Sequence, residues 1–103
     1  MRQFDVYDSP SEASRRIAPY VLVLQSHYLE GIPTVLVAPL LRRSERPGYE
    51  AVSVSVQFAG EDLIVSPAEM VAVDRRTLGR LRGDLRAHED DIRRALERVF
   101  TGF

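Results

Sequence analysis

The chain changes its hydrophobic period once, and this change restricts the folds that it can adopt. Over residues 51–58, Val or Phe at every second position alternates with Ser or Gln, which is the two-residue period of a strand with one buried face. In the last quarter, apolar residues return every three or four positions, which is the period of one helix face. The pattern predicts a mainly β chain that ends in one α-helix.

Further strands are predicted by short apolar segments at regular spacing. They cover residues 3–7, 20–25, 34–38, 63–65 and 70–73, with loops at 8–16 and 42–48, a turn at 27–33 and a hairpin connection at 59–62. The apolar run in 20–25 predicts a strand buried on both faces or in a barrel wall. Pro39 is expected to end the strand before it, because proline has no amide hydrogen for a sheet. Short strands at this spacing predict a small antiparallel barrel.

The helix is predicted to begin near Asp84, whose carboxylate can accept hydrogen bonds from free backbone amides as an N-cap. Acidic residues crowd its early part and arginines its later part, as the helix dipole favours. The pairs Glu89–Arg93 and Asp90–Arg94 have the i,i+4 spacing of helix ion pairs. An apolar and a polar face are predicted, formed by Ile92, Leu96, Val99 and Phe103, and by Asp90, Arg94, Glu97 and Thr101.

Length and composition favour one small domain, residues 1–103. The net charge of −1 gives no bulk attraction to nucleic acid, although all 14 basic residues are arginine. The absence of cysteine excludes disulfides and thiolate sites and fits a reducing compartment. The chain has no apolar run of the length of a membrane span and no signal-peptide pattern, so a cytoplasmic location without a membrane partner is expected.

Residues suited to catalysis or metal binding are sparse. His27 and His88 are the only histidines, and a turn histidine and a helix-start histidine explain them better than a metal site does. Asp90 and Asp91 point about 100° apart on a helix, so first-turn electrostatics explains them better than acid–base chemistry. No nucleophile stands beside a general base. The chain is therefore expected to be neither an enzyme nor a cofactor-binding protein.

Residues 75–86 form a basic stretch interleaved with leucines. Its arginines are Arg75, Arg76, Arg80, Arg82 and Arg86. Such a stretch is compatible with a nucleic-acid stripe or with the solvated face of an amphipathic connector. The nearly neutral total charge favours the solvated face, and no direct nucleic-acid readout is expected.

Residues along the whole chain, in order and at nearly constant spacing, resemble the CcdB family of toxins. The resemblance in the strands lies in Gln3-Phe4, Val6-Tyr7, Gln25-Ser26, Val37, Pro39-Leu40, Met70 and Val73. The most specific part is the tail, with Asp84-Leu85, Glu89, Asp91-Ile92, Ala95, Leu96, Phe100, Gly102 and Phe103.

The resemblance implies a homodimer with an SH3-like barrel and a C-terminal helix, the CcdB/MazF-like toxin fold, without enzymatic activity or a cofactor. Toxins of this family bind the A subunit of DNA gyrase and trap the complex in which the DNA is cut. A small antitoxin releases them. By position, the residues that would contact the target are Ser26, Tyr28, Leu29, Arg93, Arg94, Glu97, Thr101, Gly102 and Phe103.

The tail differs from the family's pattern at one position. The family ends in Trp-Gly-Ile, and this chain ends in Thr101-Gly102-Phe103. Threonine cannot replace the contact area of a buried aromatic residue. Two alternatives to gyrase poisoning therefore stay open. One is a homodimeric binding protein of the same fold that has lost or changed its target. The other is a MazF-like endoribonuclease, for which the sequence offers no set of catalytic residues.

Overall fold

A computed structural model of the chain describes residues 1–26, 31–45 and 50–102. Seven strands and one α-helix lie within these residues. Their bounds are β1 Asp5–Asp8, β2 Tyr20–Val23, β3 Thr34–Arg42, β4 Val54–Phe58, β5 Glu61–Val65, β6 Val71–Asp74, β7 Leu81–Asp84 and α1 Glu89–Thr101. Across these ranges, no helix has the length and apolar character needed to cross a membrane.

The strands form one curled antiparallel sheet in the described part of the chain. Their order is β4-β5-β3-β2-β1-β7, and β6 pairs with the first half of β3. At nine residues, β3 is long enough to take two partners on one edge, β6 along residues 34–37 and β5 along residues 40–42. The predicted fold class, a mainly β chain with a small antiparallel barrel and one C-terminal helix, is confirmed, and the barrel takes the form of a half-barrel.

Helix α1 packs on the inner face of the sheet and completes the larger of two cores. Ile92 and Ala95 from the helix are 0% and 1% exposed and join the buried side chains of five strands. A smaller core of four valines lies on the outer face, where the side chains of Met1, Tyr7, Val73 and Leu78 pack against it. Alternate residues of β2 belong to the two cores, Leu22 to the inner and Val21 to the outer. The predicted burial of this segment on both faces is therefore confirmed.

The prediction that Pro39 ends a strand is wrong, because β3 continues through it to Arg42. Pro39 lies opposite Val21, and its carbonyl oxygen accepts a hydrogen bond from the Ser66 amide at 3.1 Å. The partner of β3 changes from β6 to β5 at this point. The missing amide hydrogen of proline therefore interrupts no continuous ladder, and a central strand tolerates it here.

The prediction of an N-cap at Asp84 is also wrong. Asp84 is the last residue of β7, and α1 begins at Glu89. The Asp84 carboxylate instead accepts a hydrogen bond from the Arg86 amide at 3.0 Å, in the turn between the two elements. The segment Leu81–Asp84, which its sequence placed in an amphipathic connector, pairs with β1. Its composition of Leu, Arg, Gly and Asp has little strand propensity, so pairing with β1 decides its conformation.

The predicted hairpin between β4 and β5 is confirmed, with a turn of two residues. Ala59 and Gly60 have φ values of 51° and 77°, both in the left-handed region that a type I′ turn requires. Val54 and Val56 are buried while Ser55 and Gln57 are exposed, as the alternation predicts. The strand is shorter than predicted because residues 50–52 form a 3-10 turn before it.

Candidate functional site

The outer face of α1 is the most prominent exposed surface formed by the predicted site residues. Burial of Ile92 and Ala95 fixes the rotation of the helix about its axis. Asp90, Arg94, Glu97 and Thr101 are consequently all exposed, which confirms the predicted polar face. Three acidic residues, Glu89 to Asp91, lie in the first turn, and Arg98 lies in the last, which is the charge distribution that the helix dipole favours.

Ion pairs order the side chains along this helix. Arg93 binds Glu89 at 3.1 Å, the i,i+4 pair that the sequence predicts. Arg94 binds Asp91 at 2.5 Å, an i,i+3 pair, instead of the predicted Asp90. The arginine takes the carboxylate three residues before it, and either spacing brings side chains together on a helix. Both pairs are half-exposed and contribute at most about 1 kcal/mol each.

The last turn of the helix carries an exposed aromatic residue, and a left-handed glycine follows the last helical residue. The side chain of Phe100 is 70% exposed, the largest value among the exposed large apolar residues in the described ranges. Gly102 has φ 79° and donates its amide to the Arg98 carbonyl at 3.0 Å, which closes the last turn. The hydroxyl of Thr101 donates to the Glu97 carbonyl at 2.6 Å. Phe103 lies outside the described residues.

The second predicted contact region follows β2. Ser26 is half-buried there, and Tyr28 and Leu29 lie outside the described residues. Gln3 links this region to the helix, because its Nε2 donates to the Leu24 carbonyl at 2.9 Å and its Oε1 accepts from Arg93 at 3.5 Å. The structure thus brings Arg93 and the end of β2 to the same side of the molecule.

Phe100 is the residue that the sequence-based site omits. Its signal in the sequence is its offset from the apolar stripe, one position after Val99, which places it at the border of the polar face. An aromatic residue at that border can pack inward or stand in solvent. Only the packing of the helix shows that it stands in solvent.

The basic stretch is occupied by internal contacts. Arg82 donates to Asp8 at 2.8 Å, Arg86 to Asp5 at 2.8 Å and Arg76 to Asp74 at 2.9 Å. Arg75 donates to the Ile32 carbonyl. The hydrogen bond from Arg82 holds the pKa of Asp8 below its ordinary value, and the one from Arg76 does the same to the pKa of Asp74. These contacts favour the solvated, ion-paired face over a nucleic-acid stripe.

A cleft of about 240 Å³ lies beside the β4–β5 hairpin, and Arg43, Ser55, Asp62 and His88 are among its lining residues. The Arg43 guanidinium contacts the Ser55 hydroxyl, and the Gln57 amide contacts the Asp62 carboxylate. In the described ranges, no group of three or more His, Cys, Asp or Glu side chains is placed to hold a metal ion. His27 lies outside those ranges.

Comparison with known proteins gives a family match and a set of similar folds. The sequence model of the family described as CcdB protein matches residues 3–102. No curated protein matches the chain. The structure of an Mtb toxin is 27% identical, with a TM-score of 0.69, over 82% of this chain and 96% of that one.

Two further solved structures are similar in fold at lower identity. The Mycobacterium tuberculosis toxin MazF-mt6 is 22% identical, with a TM-score of 0.73, over 96% of both chains. An endoribonuclease in complex with its cognate antitoxin, from a mycobacterial species, is 13% identical, with a TM-score of 0.74, over 96% of this chain and 93% of that one. These likenesses support the toxin-type fold predicted from the sequence.

Proposed function

Because the chain belongs to the CcdB family, we propose that it is the toxin of a toxin–antitoxin pair that acts by binding a target protein, the A subunit of DNA gyrase. The action is stoichiometric contact without catalysis by this chain. It traps gyrase on cut DNA, and a small antitoxin partner relieves it. A fold relative described with its cognate antitoxin supports an antitoxin partner.

The observation that carries this proposal is the exposed Phe100 at the end of a polar helix face. An aromatic side chain of this exposure places apolar surface in water, which is unfavourable for the isolated protein. Covering that surface with a partner is therefore favourable. Aromatic anchors typically dominate the energy of protein interfaces. The family has its tryptophan at the position of Thr101. In this chain Phe100, one position earlier, supplies the aromatic contact.

The residues proposed to surround this anchor come from the helix, its tip and the region after β2. They are Ser26, Tyr28, Leu29, Arg93, Arg94, Glu97, Thr101, Gly102 and Phe103. Arg93, Arg94 and Glu97 form the charged rim of the contact. The left-handed turn at Gly102 sets the direction in which the chain leaves the helix.

A homodimer is proposed as the assembled state. Val71 and Leu81 are 53% and 54% exposed. Val71 lies opposite Val37 of the outer valine core in the sheet. Leu81 lies opposite Tyr7, whose side chain packs against that core. Apolar residues on the margin of a small core are the surface that a second copy would bury.

Induced expression of the protein alone in a bacterial host tests the proposal. Growth arrest with double-strand DNA breaks is expected, and co-expression of the small protein encoded next to it should restore growth. Phe100→Ala should abolish arrest, because losing an anchor typically costs about 2–4 kcal/mol of binding energy. Thr77→Ala changes an exposed side chain in the connector before β7, outside the proposed contact residues, and should keep full toxicity.

Other outcomes distinguish the alternatives. Unaffected growth together with tight binding of the co-encoded protein would favour a binding protein that has lost or changed its target. Equal toxicity of the wild type and Phe100→Ala would contradict the role of the exposed aromatic residue.

An endoribonuclease is the second candidate, and a specific observation favours it. The structure brings Arg43, Ser55, Asp62 and His88 to one cleft, although they are scattered in the sequence. An imidazole can remove a proton from a ribose hydroxyl and a guanidinium can stabilise the charge on a phosphate. Purified protein incubated with total RNA tests this, with His88→Ala as the comparison. Cleavage that depends on His88 would establish the enzyme and contradict the non-catalytic proposal.

A further inference from the structure

Three arginines, one from the N-terminal segment and two from the last quarter of the chain, line a small cleft between the N-terminal segment and α1. Arg2, Arg86 and Arg93 line it together with Gln3, Phe4 and Glu89, and its volume is about 170 Å³. Arg2 is far in sequence from the other two arginines, and neither the sequence motifs nor the proposed target contact groups the three. Three guanidinium groups and one carboxylate in the lining make this cleft a candidate site for an anion.

Phe4 provides a rigid floor for the cleft. Phe4 is 3% exposed and has a φ of 70°, which is uncommon for any residue other than glycine and especially for a bulky one. Its amide donates to the Val23 carbonyl at 2.8 Å and its carbonyl accepts from the Leu85 amide at 2.9 Å. Contacts with two parts of the sheet region therefore hold this backbone conformation in place.

Arg93 is held over this floor in one orientation. Its guanidinium carbon lies 5.4 Å from the centroid of the Phe4 ring, within the range of a cation–π interaction. Its Nε and Nη2 bind Glu89 at 3.1 Å, and Nη2 reaches Gln3 Oε1 at 3.5 Å. In the described part of the chain its Nη1 has no hydrogen-bond partner, so one charged donor stays available to a ligand.

Arg2 and Arg86 are the other two arginines of the cleft, and their guanidinium groups differ in how firmly they are held. Arg86 is anchored by Asp5 at 2.8 Å and by Asp84 at 3.0 Å. The backbone of Arg2 is fixed by a turn in which its amide donates to the Asp5 carboxylate at 2.9 Å. Its guanidinium is exposed and, among the described residues, binds no other group. A fixed backbone with a free guanidinium leaves Arg2 able to close on a ligand.

We infer that this cleft, lined by Arg2, Arg86 and Arg93, binds the carboxylate of an acidic side chain on a protein partner. A carboxylate can take paired hydrogen bonds from a guanidinium fork, and the free donors of Arg2 and Arg93 supply them. A nucleic-acid strand fits less well, because Glu89, Asp90 and Asp91 stand in the adjoining first turn of α1 and would repel a row of phosphates. The net charge of −1 also gives a polyanion no general attraction.

Binding of a blocked tetraglutamate peptide to the folded protein tests this inference, with tetraglutamine as the neutral control. The readout is the Nε–Hε resonance of each arginine in ¹⁵N-labelled protein at low ionic strength. Tetraglutamate should shift the resonances of Arg2 and Arg93, tetraglutamine should not, and added salt should weaken the effect. A short single-stranded oligonucleotide provides the comparison with nucleic acid.

Substitutions distinguish binding at this cleft from a general effect of the protein's charge. Arg2→Gln and Arg93→Gln should each raise the dissociation constant about tenfold, as expected for losing one charge-assisted contact. Arg93→Lys, which keeps the charge and removes the fork, should retain only part of the affinity. Arg98→Gln makes the same charge change on the same helix outside the cleft and should leave the affinity unchanged. Thermal denaturation of each variant checks that it is folded.

Three results would overturn the inference. One is a lack of shifts at Arg2 and Arg93, and another is an equal response to tetraglutamine. The third is tighter binding of the oligonucleotide that is lost in the same variants, which would assign the cleft to nucleic acid. None of these results depends on whether the protein is toxic, so the outcome is independent of the gyrase proposal.

Discussion

At the scale of single residues, Gly79 has the least room for a side chain among the glycines in the described part of the chain. A Cβ added to Gly79 would lie 2.8 Å from the Cβ of Asp8. Gly79 also donates its amide to the Asp8 carbonyl at 3.4 Å, at the end of β1. Glycine is needed here because the connector before β7 passes directly over that strand end.

Gly79→Ala should lower the free energy of unfolding by about 1–3 kcal/mol, because the added methyl group forces the two backbones apart. Urea unfolding measures the loss. Gly31→Ala is the matched control, since nothing lies within 4 Å of its Cβ position, and it should change stability by less than about 0.5 kcal/mol. Equal effects of the two substitutions would show that the contact at Gly79 is not limiting.

At the scale of elements, α1 has an anchoring end and a presenting end. Ile92 is fully buried in the inner core, and Phe100, two turns later, is 70% exposed. The two residues are similar in apolar character, and the difference between them arises from the position of the helix on the curled sheet. The anchoring residue should therefore govern stability and the presenting residue should govern binding.

Ile92→Ala should lower the free energy of unfolding by about 2–5 kcal/mol through lost burial and a residual cavity. Phe100→Ala deletes a larger side chain from the same helix and should change that free energy by less than about 0.5 kcal/mol. Chemical denaturation of both variants measures the contrast. A large destabilisation by Phe100→Ala would mean that the helix end is part of the core.

The pairing of β1 with β7 depends on an ion pair as well as on backbone hydrogen bonds. Arg82 donates two hydrogen bonds to Asp8, at 2.8 and 3.1 Å, and these lower the pKa of Asp8 from its ordinary 3.8. A carboxyl group with a lowered pKa in the folded state contributes stability above its unfolded pKa. That stability is lost as the pH falls through the folded pKa.

Arg82→Gln should therefore reduce stability near neutral pH, and its difference from the wild type should shrink as the pH falls below about 4. Unfolding free energies measured from neutral to acidic pH give the two curves. Arg80→Gln removes a neighbouring arginine whose side chain binds no other group in the described ranges, and its curve should run parallel to the wild type. A constant difference between Arg82→Gln and the wild type at all pH values would rule out the linkage.

At the scale of the whole molecule, the apolar side chains are divided between two cores and a set of exposed positions. The inner core is closed by the helix, whereas the outer valine core is covered, in the described residues, by the partly buried side chains of Met1, Tyr7, Val73 and Leu78. The exposed Val71 and Leu81 adjoin that thinner side, opposite the helix in the layering of the fold. The proposed dimer contact and the proposed target contact therefore lie on different sides of the molecule.

Val71→Lys should dissociate the proposed homodimer, because it places a charge in the apolar contact between the two copies. Sedimentation velocity across a range of protein concentrations measures the change in mass. Thr77→Lys adds the same charge at an exposed position of the connector and should leave the dimer intact. A wild-type protein that stays monomeric at high concentration would contradict the dimer itself.

Removal of residues 101–103 should leave the fold intact, with a loss of stability below about 1 kcal/mol from the helix cap. Thr101 and Gly102 are exposed, and the helix is anchored by Ile92 and Ala95. The melting temperature of the truncated chain tests this, and its toxicity is measured in parallel. A large drop in melting temperature would assign the tip to the core and exclude it as a recognition element.

The sequence by itself determined the class of fold, because burial on one face imposes a period of two on a strand and about 3.6 on a helix. The alternation at Val54 and Val56, the apolar run in β2 and the stripe through Ile92 carry that information locally. The resemblance to the CcdB family, carried by residues along the whole chain, indicated the toxin-type fold.

Only the tertiary structure decided the features that depend on partners far away in the sequence. Leu81–Asp84 is a strand because β1 pairs with it, and Pro39 stays within β3 because the strand changes partners there. The exposure of Phe100 and the meeting of Arg2 with Arg93 are likewise set by the docking of the helix against the sheet and the N-terminal segment. Local periodicity records which face of an element is buried, and it contains no record of which distant residue an exposed side chain will meet.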